Sequence, residues 1–145
     1  MTNTVSISCT LDTNNPTAVL GFEAWVDNQK FFDTDHVQAQ QQVTVEIADD
    51  DGEHELRFVL KNKTTNHTQV DDDGNIVADT TLTIANLAFD EIRLEHMFTK
   101  QAVYTHDFNG TQKEVQDKFY GEMGCNGTVS LKFSTHIYLW LLEHM

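Results

Sequence analysis

Positive charge is scarce in this chain. Its 145 residues carry 9 lysines and arginines against 23 aspartates and glutamates, a formal net charge of −14. A protein that coats DNA or RNA needs a surplus of cations for phosphate contacts, so no nucleic-acid partner is expected. The same charge disfavours an anionic membrane surface. Long apolar runs are missing as well. The longest, residues 137–142, is far too short to cross a bilayer, so no membrane partner is expected. The opening of the chain lacks a basic region followed by an apolar stretch, and no secretory signal is expected.

Proline occurs once and cysteine twice. One proline leaves no polyproline linker, and no shift of composition marks a boundary. Residues 1–145 therefore read as a single domain. Cys9 and Cys125 lie at opposite ends, and neither sits in a CxxC or zinc-type Cys/His spacing. A disulfide between them stays open. Cys9 also fits as a small core residue, because it alternates with Val5, Ile7 and Leu11. None of the 7 histidines stands two or four residues from another, which disfavours a three-histidine zinc site. GxGxxG, GxxxxGK[ST] and GxSxG are absent, as are heptads. No catalytic residue is assigned, and the chain reads as a non-enzyme.

Period-2 alternation is what the sequence has in abundance. Val5, Ile7, Cys9 and Leu11 alternate with Thr4, Ser6, Ser8 and Thr10. Leu20, Phe22, Ala24 and Val26 share one face of a second strand. Asp27-Asn28-Gln29 reads as a turn, with Phe31-Phe32 on the return. Val43, Val45 and Ile47 alternate, the acidic run Asp49-Asp50-Asp51-Gly52-Glu53 interrupts, and Leu56, Phe58 and Leu60 resume. This pair is expected to form a hairpin. In 80–89 the phase shifts after Ile84, which predicts a bulge or corner. Ile92 and Leu94 suggest a further strand, 102–104 a short one, 112–119 a helical turn or two, and Val129, Leu131 and Phe133 a last clear strand. In the final segment Ile137, Trp140 and Leu141 fall at helical spacing, with Ser134 or Thr135 as cap; a strand is the alternative. The fold class expected is all-β: an antiparallel β-sandwich, jelly-roll-like, of about eight strands with a short C-terminal apolar segment.

Three features bear on function. Asp71, Asp73 and Asn75 alternate like the opening of a calcium loop, with Asp79 close by; hard oxygens in such numbers suit calcium. Ile76 stands where a helix-loop-helix site needs glycine and Leu82 where it needs glutamate, so that motif is not present. An exposed turn on a hairpin accounts for the same residues. Trp25 sits on the strand face opposite Phe22 and Ala24, as a platform for a sugar ring or under a cover of its own. Tyr138, Trp140, Leu141 and Leu142 form the largest apolar concentration, as a partner-binding anchor or as a lid over the end of the sandwich.

Two resemblances follow. Gly21-Phe22-Glu23-Ala24-Trp25-Val26-Asp27 with Asp51-Gly52-Glu53-His54-Glu55-Leu56-Arg57-Phe58 resembles the rhythm of small calcium-dependent xylan-binding jelly-roll modules. That likeness implies a jelly roll, calcium and a glycan partner. Such modules hold calcium through an Asn-Asp pair after the second of these strands. The matching place here reads Lys61-Asn62-Lys63, without the aspartate. Gly124-Cys125-Asn126-Gly127-Thr128-Val129, the hairpin with Val70-Asp71-Asp72-Asp73-Gly74-Asn75-Ile76-Val77 and the ending Phe133-Ser134-Thr135-His136-Ile137-Tyr138-Leu139-Trp140-Leu141-Leu142-Glu143 are similar to small acidic proteins of tailed phages infecting marine cyanobacteria. That likeness implies a virion structural or accessory subunit, localised to the virion and partnered by other virion proteins or by copies of itself. It is the leading functional expectation; a calcium-dependent carbohydrate-binding module is the alternative.

Overall fold

The structure is a computed structural model. It describes residues 4–14, 20–38, 40–50, 52–62, 68–70, 72–73, 76–90, 92–94, 98, 100–106, 113–123 and 126–144, excepting the side chains of 68–70, 76–79, 138 and 144. Thirteen strands and one helix are defined among these residues. In chain order the first strands are β1 (Thr4–Thr13), β2 (Gly21–Val26), β3 (Gln29–Thr34), β4 (Gln41–Ala48) and β5 (Glu53–Lys61). Then come β6 (Thr68–Val70), β7 (Ile76–Asp79), β8 (Leu82–Phe89) and β9 (Ile92–Arg93). The last strands are β10 (Val103–His106), β11 (Val115–Lys118), β12 (Glu122–Met123) and β13 (Gly127–Ser134), followed by the helix α1 (Ile137–His144).

Two antiparallel sheets form the body. One runs β12-β8-β1-β4, with β9 beside β8; the other runs β11-β10-β13-β5-β2-β3, and β6 and β7 form a separate two-stranded hairpin. The strands exceed the eight expected because several are pieces of two to four residues that carry little alternation. The sandwich itself is as expected.

Successive side chains of a strand point to opposite faces, so the alternating apolar residues of both sheets meet. From β1 come Val5, Ile7, Cys9 and Leu11; from β5 come Leu56, Phe58 and Leu60; from β13 come Val129, Leu131 and Phe133, all buried. Aromatic rings tie the layers together. Phe89 of one sheet meets Phe133 of the other edge-on at 4.9 Å, while within the six-stranded sheet Phe22 stacks on Phe58 at 5.8 Å. Burying one such side chain contributes about 1.5–3 kcal/mol.

The phase shift after Ile84 is a bulge. Ser8 pairs with Ala88 and Thr10 with Ala85, so two residues of β8 face one of β1. Asn86 absorbs the extra residue at φ 58°, a conformation asparagine tolerates better than most. The bulge lets Leu82, Ile84, Leu87 and Phe89 all point inward. At Gly127 the strands β10 and β13 come so close that a Cβ would collide with the carbonyl oxygen of Thr105.

Two expectations are corrected. The helical turn expected over 112–119 is absent from its described residues, 113–119: Val115–Lys118 is the edge strand β11, paired with β10, and tertiary pairing overrides its weak local preference. The expected hairpin of β4 with β5 does not form. β4 pairs with β1 in one sheet, whereas β5 pairs with β2 and β13 in the other. Alternation assigns faces, not neighbours, and the acidic run between these strands crosses from one sheet to the other.

Candidate ligand-binding site at one end of the sandwich

That crossing builds the most polar end of the molecule. The turn between β2 and β3 places Asp27 there, at φ 55°. The β4–β5 crossing brings Asp49 and Asp50. β5 begins with Glu53 and His54, and the link from β13 to α1 adds Thr135 and His136.

His54 holds these pieces together. It is in phase with Leu56 and Phe58, so its ring points inward, and it stacks on Phe133 at 5.5 Å. Its Nδ1 lies 2.7 Å from Asp27 Oδ2 and its Nε2 lies 2.8 Å from Asp50 Oδ1. Asp50 Oδ1 also accepts from the Thr135 hydroxyl at 3.0 Å and the Gly52 N–H at 3.2 Å. Asp27 Oδ1 accepts from the Glu55 N–H at 2.9 Å, and the Asp27 carbonyl accepts from Arg57 at 2.6 Å.

Burial alone would depress the His54 pKa, but the hydrogen bonds and charges of Asp27 and Asp50 outweigh it and raise the pKa above the ordinary value. Burial likewise pushes Asp27 up, and the bonds from His54 and the Glu55 N–H hold it below the ordinary value. Asp50 is lowered by His54 and then by Thr135. The imidazole thus bridges two carboxylates that would otherwise repel.

Two clefts open beside this bridge. One, about 720 Å³, lies where β5, β13 and α1 meet; Glu53, Glu55, Gln101, Lys132, Ser134 and Glu143 are among its lining. The other, about 640 Å³, lies between β4 and the β2–β3 turn. The first opens toward the outer face of the six-stranded sheet. Glu55 and Arg57 are two apart on β5 and share that face; Lys132 pairs with Glu55, and Trp25 pairs with Arg57.

Trp25 does stand on the side opposite the buried Phe22 and Ala24, and is itself half-buried. Lys30 and Arg57 lie over its ring at 5.7 and 5.4 Å, and its indole N–H donates to Glu23 at 3.0 Å. Beside it, Lys61 bonds both Glu23 and Asp33.

The anchor expected at the C-terminus divides. Trp140 and Leu141 are each 5% exposed and belong to the core, so they are not surface contacts. Helical spacing turns them inward with Ile137, against Phe89 and Phe133. Leu142 is 71% exposed, as is Leu139 at 59%; the side chain of Tyr138 lies outside the described set.

Of the expected calcium ligands, Asp71 and Asn75 lie outside the described residues, Asp73 is exposed in a turn, and Asp79 ends β7 without a described side chain. Among the described residues no three His, Cys, Asp or Glu side chains are placed to hold a metal ion. The acidic end does not fit calcium either, because three of the four carboxylate oxygens of Asp27 and Asp50 already accept hydrogen bonds or face His54. Asp49 Oδ1 is buried 2.9 Å from His136 Nδ1 but off the line of a hydrogen bond.

No protein-family profile matches the chain, and no curated protein sequence does. Solved structures do. The module vCBM60 in complex with galactobiose superposes with a TM-score of 0.53 at 16% identity, over 87% of this chain and 96% of that one. The selenomethionine form of vCBM60, described in connection with two families of calcium-dependent carbohydrate-binding modules linked by circular permutation, gives 0.52 at 15%, over 88% and 89%. At such identity the likeness establishes the fold, a jelly-roll sandwich of the kind carbohydrate-binding modules use. It supports the xylan-module resemblance at the level of fold and lends the phage likeness nothing.

His54 was the residue hardest to foresee. Its signal was present, since it stands in phase with Leu56, Phe58 and Leu60 just after three aspartates.

Proposed function

We propose that the chain is a carbohydrate-binding module that holds a glycan along the outer face of β2, β5 and β13 and in the adjoining end cleft. The observation that carries this reading is the cleft itself: carboxylates, an amide, an ammonium and a hydroxyl line about 720 Å³ of open space, and its Glu55 and Lys132 lie on the sheet face that bears Trp25. Sugar hydroxyls need such a mixture of donors and acceptors, and charged partners make the stronger hydrogen bonds. The galactobiose bound by the neighbouring fold supports the choice of ligand class. No part of this reading passes through a cation.

The test is affinity electrophoresis and calorimetry against galactan, xylan and their oligosaccharides, in calcium and again in chelator. Binding is expected to at least one of them, and Glu55→Gln or Lys132→Ala is expected to weaken it about tenfold, the loss of one charge-assisted contact. Trp25→Ala should weaken longer oligosaccharides more than disaccharides. Failure of the folded protein to bind any member of a broad glycan array overturns the proposal. Loss of binding in chelator likewise overturns it, because the reading uses no cation.

A further inference from the structure

A β-sandwich has four open edges, and the edges of this one are unequal. Three carry devices that discourage strand addition. β12 is only two residues long, with Glu122 on it. β11 has four residues, including Asp117 and Lys118. β3 carries Lys30 and Asp33, and its register with β2 slips by a bulge. Short length, charge and bulges are the usual means by which sheet edges avoid pairing.

β4 has none of these. Its eight residues, QQVTVEIA, contain a single charge, Glu46, and no proline or lysine. Its register with β1 runs without interruption from Thr4↔Ala48 to Leu11↔Gln41. No described strand pairs with its other edge. The cleft of about 640 Å³ lies along that edge: the consecutive residues Val45, Glu46, Ile47 and Ala48 all line it, which only the side of a strand can do. The opposite wall is the β2–β3 hairpin, with Phe31 and Gln29. Phe31, Val45 and Ile47 are only partly covered apolar side chains packed on the core.

From this juxtaposition we infer that β4 is a docking edge for an extended, cationic peptide segment, which adds as a further strand of the sheet. The exposed ladder of N–H and C=O groups dictates an extended backbone, since main-chain bonds give such complexes their affinity. The half-covered Phe31, Val45 and Ile47 take apolar side chains at alternate positions. The rim leans acidic: Asp27, Glu46 and Asp50 border the cleft against one His54, which bridges the two aspartates and leaves the exposed Glu46 without a counter-charge in the lining, so a segment carrying lysine or arginine complements it. A second copy of this chain brings −14 of like charge, so it is the poorer occupant.

The probe is a fluorescein-labelled synthetic peptide alternating valine and threonine between terminal lysine pairs. Two control peptides carry glutamate in place of lysine, or N-methylated amides at alternate positions. Anisotropy titration of the full chain should show saturable binding of the cationic peptide, weakening steeply with salt. The acidic and N-methylated peptides should bind at least about tenfold more weakly. Hydrogen exchange should slow in β4 and not in β3 or β11. Glu46→Lys, an exposed change that leaves the melting curve unaltered, should weaken binding about tenfold. Equal binding of the N-methylated peptide, or protection outside β4, overturns the proposal. So does protection of β4 that rises with protein concentration alone, because the occupant is then a second copy.

Discussion

At the scale of single residues, His54 sets the pH response. Its pKa in the folded protein lies above its ordinary 6.5, so its contribution is complete below that value and disappears as pH climbs through the raised one. Asp27 and Asp50 lie below their ordinary 3.8, so their contribution is complete above that value and is lost as pH falls through the depressed one. The bridge therefore supports the fold best between the two ordinary values. His54→Gln should lower the melting temperature by a few degrees near about pH 5 and by clearly less near about pH 9. Equal losses at both pH values would show the imidazole to be neutral packing. Cys9 gives a second prediction. It is a buried free thiol whose pKa is pushed up to about 12 by its surroundings, which leaves almost no thiolate at neutral pH. Mass spectrometry after a maleimide pulse should find Cys9 unlabelled in the native protein and labelled in denaturant.

At the scale of elements, the strongly periodic pieces were legible and the crossing points were not. β1, β5 and β13 could be read because each turns an unbroken set of apolar residues inward. The bulge in β8 was legible for the same reason, since the skipped phase after Ile84 left a choice of bulge or corner. β11 was not, because Val115–Lys118 offers one apolar residue and draws its strand character from β10. The acidic bridge was illegible as a unit because its parts come from distant places in the chain and meet only when β4 and β5 separate into different sheets. Trp25 could be assigned to the outward face, but its cationic neighbours depend on a register that alternation leaves open. The helix α1 yields the prediction at this scale. Trp140→Ala should cost about 3–5 kcal/mol, because it empties a site against Phe89 and Phe133. Leu142→Glu on the exposed side should change stability by under about 0.5 kcal/mol. Removal of the whole helix should therefore appear in urea melts as lost stability before it appears in any assembly assay.

At the scale of the whole molecule, the net charge of −14 works against compactness. Screening acts over about 10 Å at 0.1 M salt, so raising sodium chloride from about 0.01 M to 0.15 M should raise the melting temperature. A flat response would mean that local ion pairs such as Lys61 with Glu23 and Asp33 already neutralise the field. Chromatography with light scattering, in calcium and then in chelator, reports at this same scale. A discrete oligomer indifferent to calcium would return weight to an assembly role, and a monomer stabilised by calcium would show that the chain holds a cation. The crossing between β4 and β5 has one more consequence, which lies in time. β1 must wait for β4 and for β8, whose residues are synthesised much later, and β5 must find β13 across about half the chain. Among the described strands, β2 with β3, β6 with β7, β8 with β9 and β10 with β11 can zip locally. Closing long loops before any contact repays them makes such a topology a slow folder, with refolding expected over about milliseconds to seconds. During that interval the nearly uncharged β4 is the segment most exposed to capture by another chain.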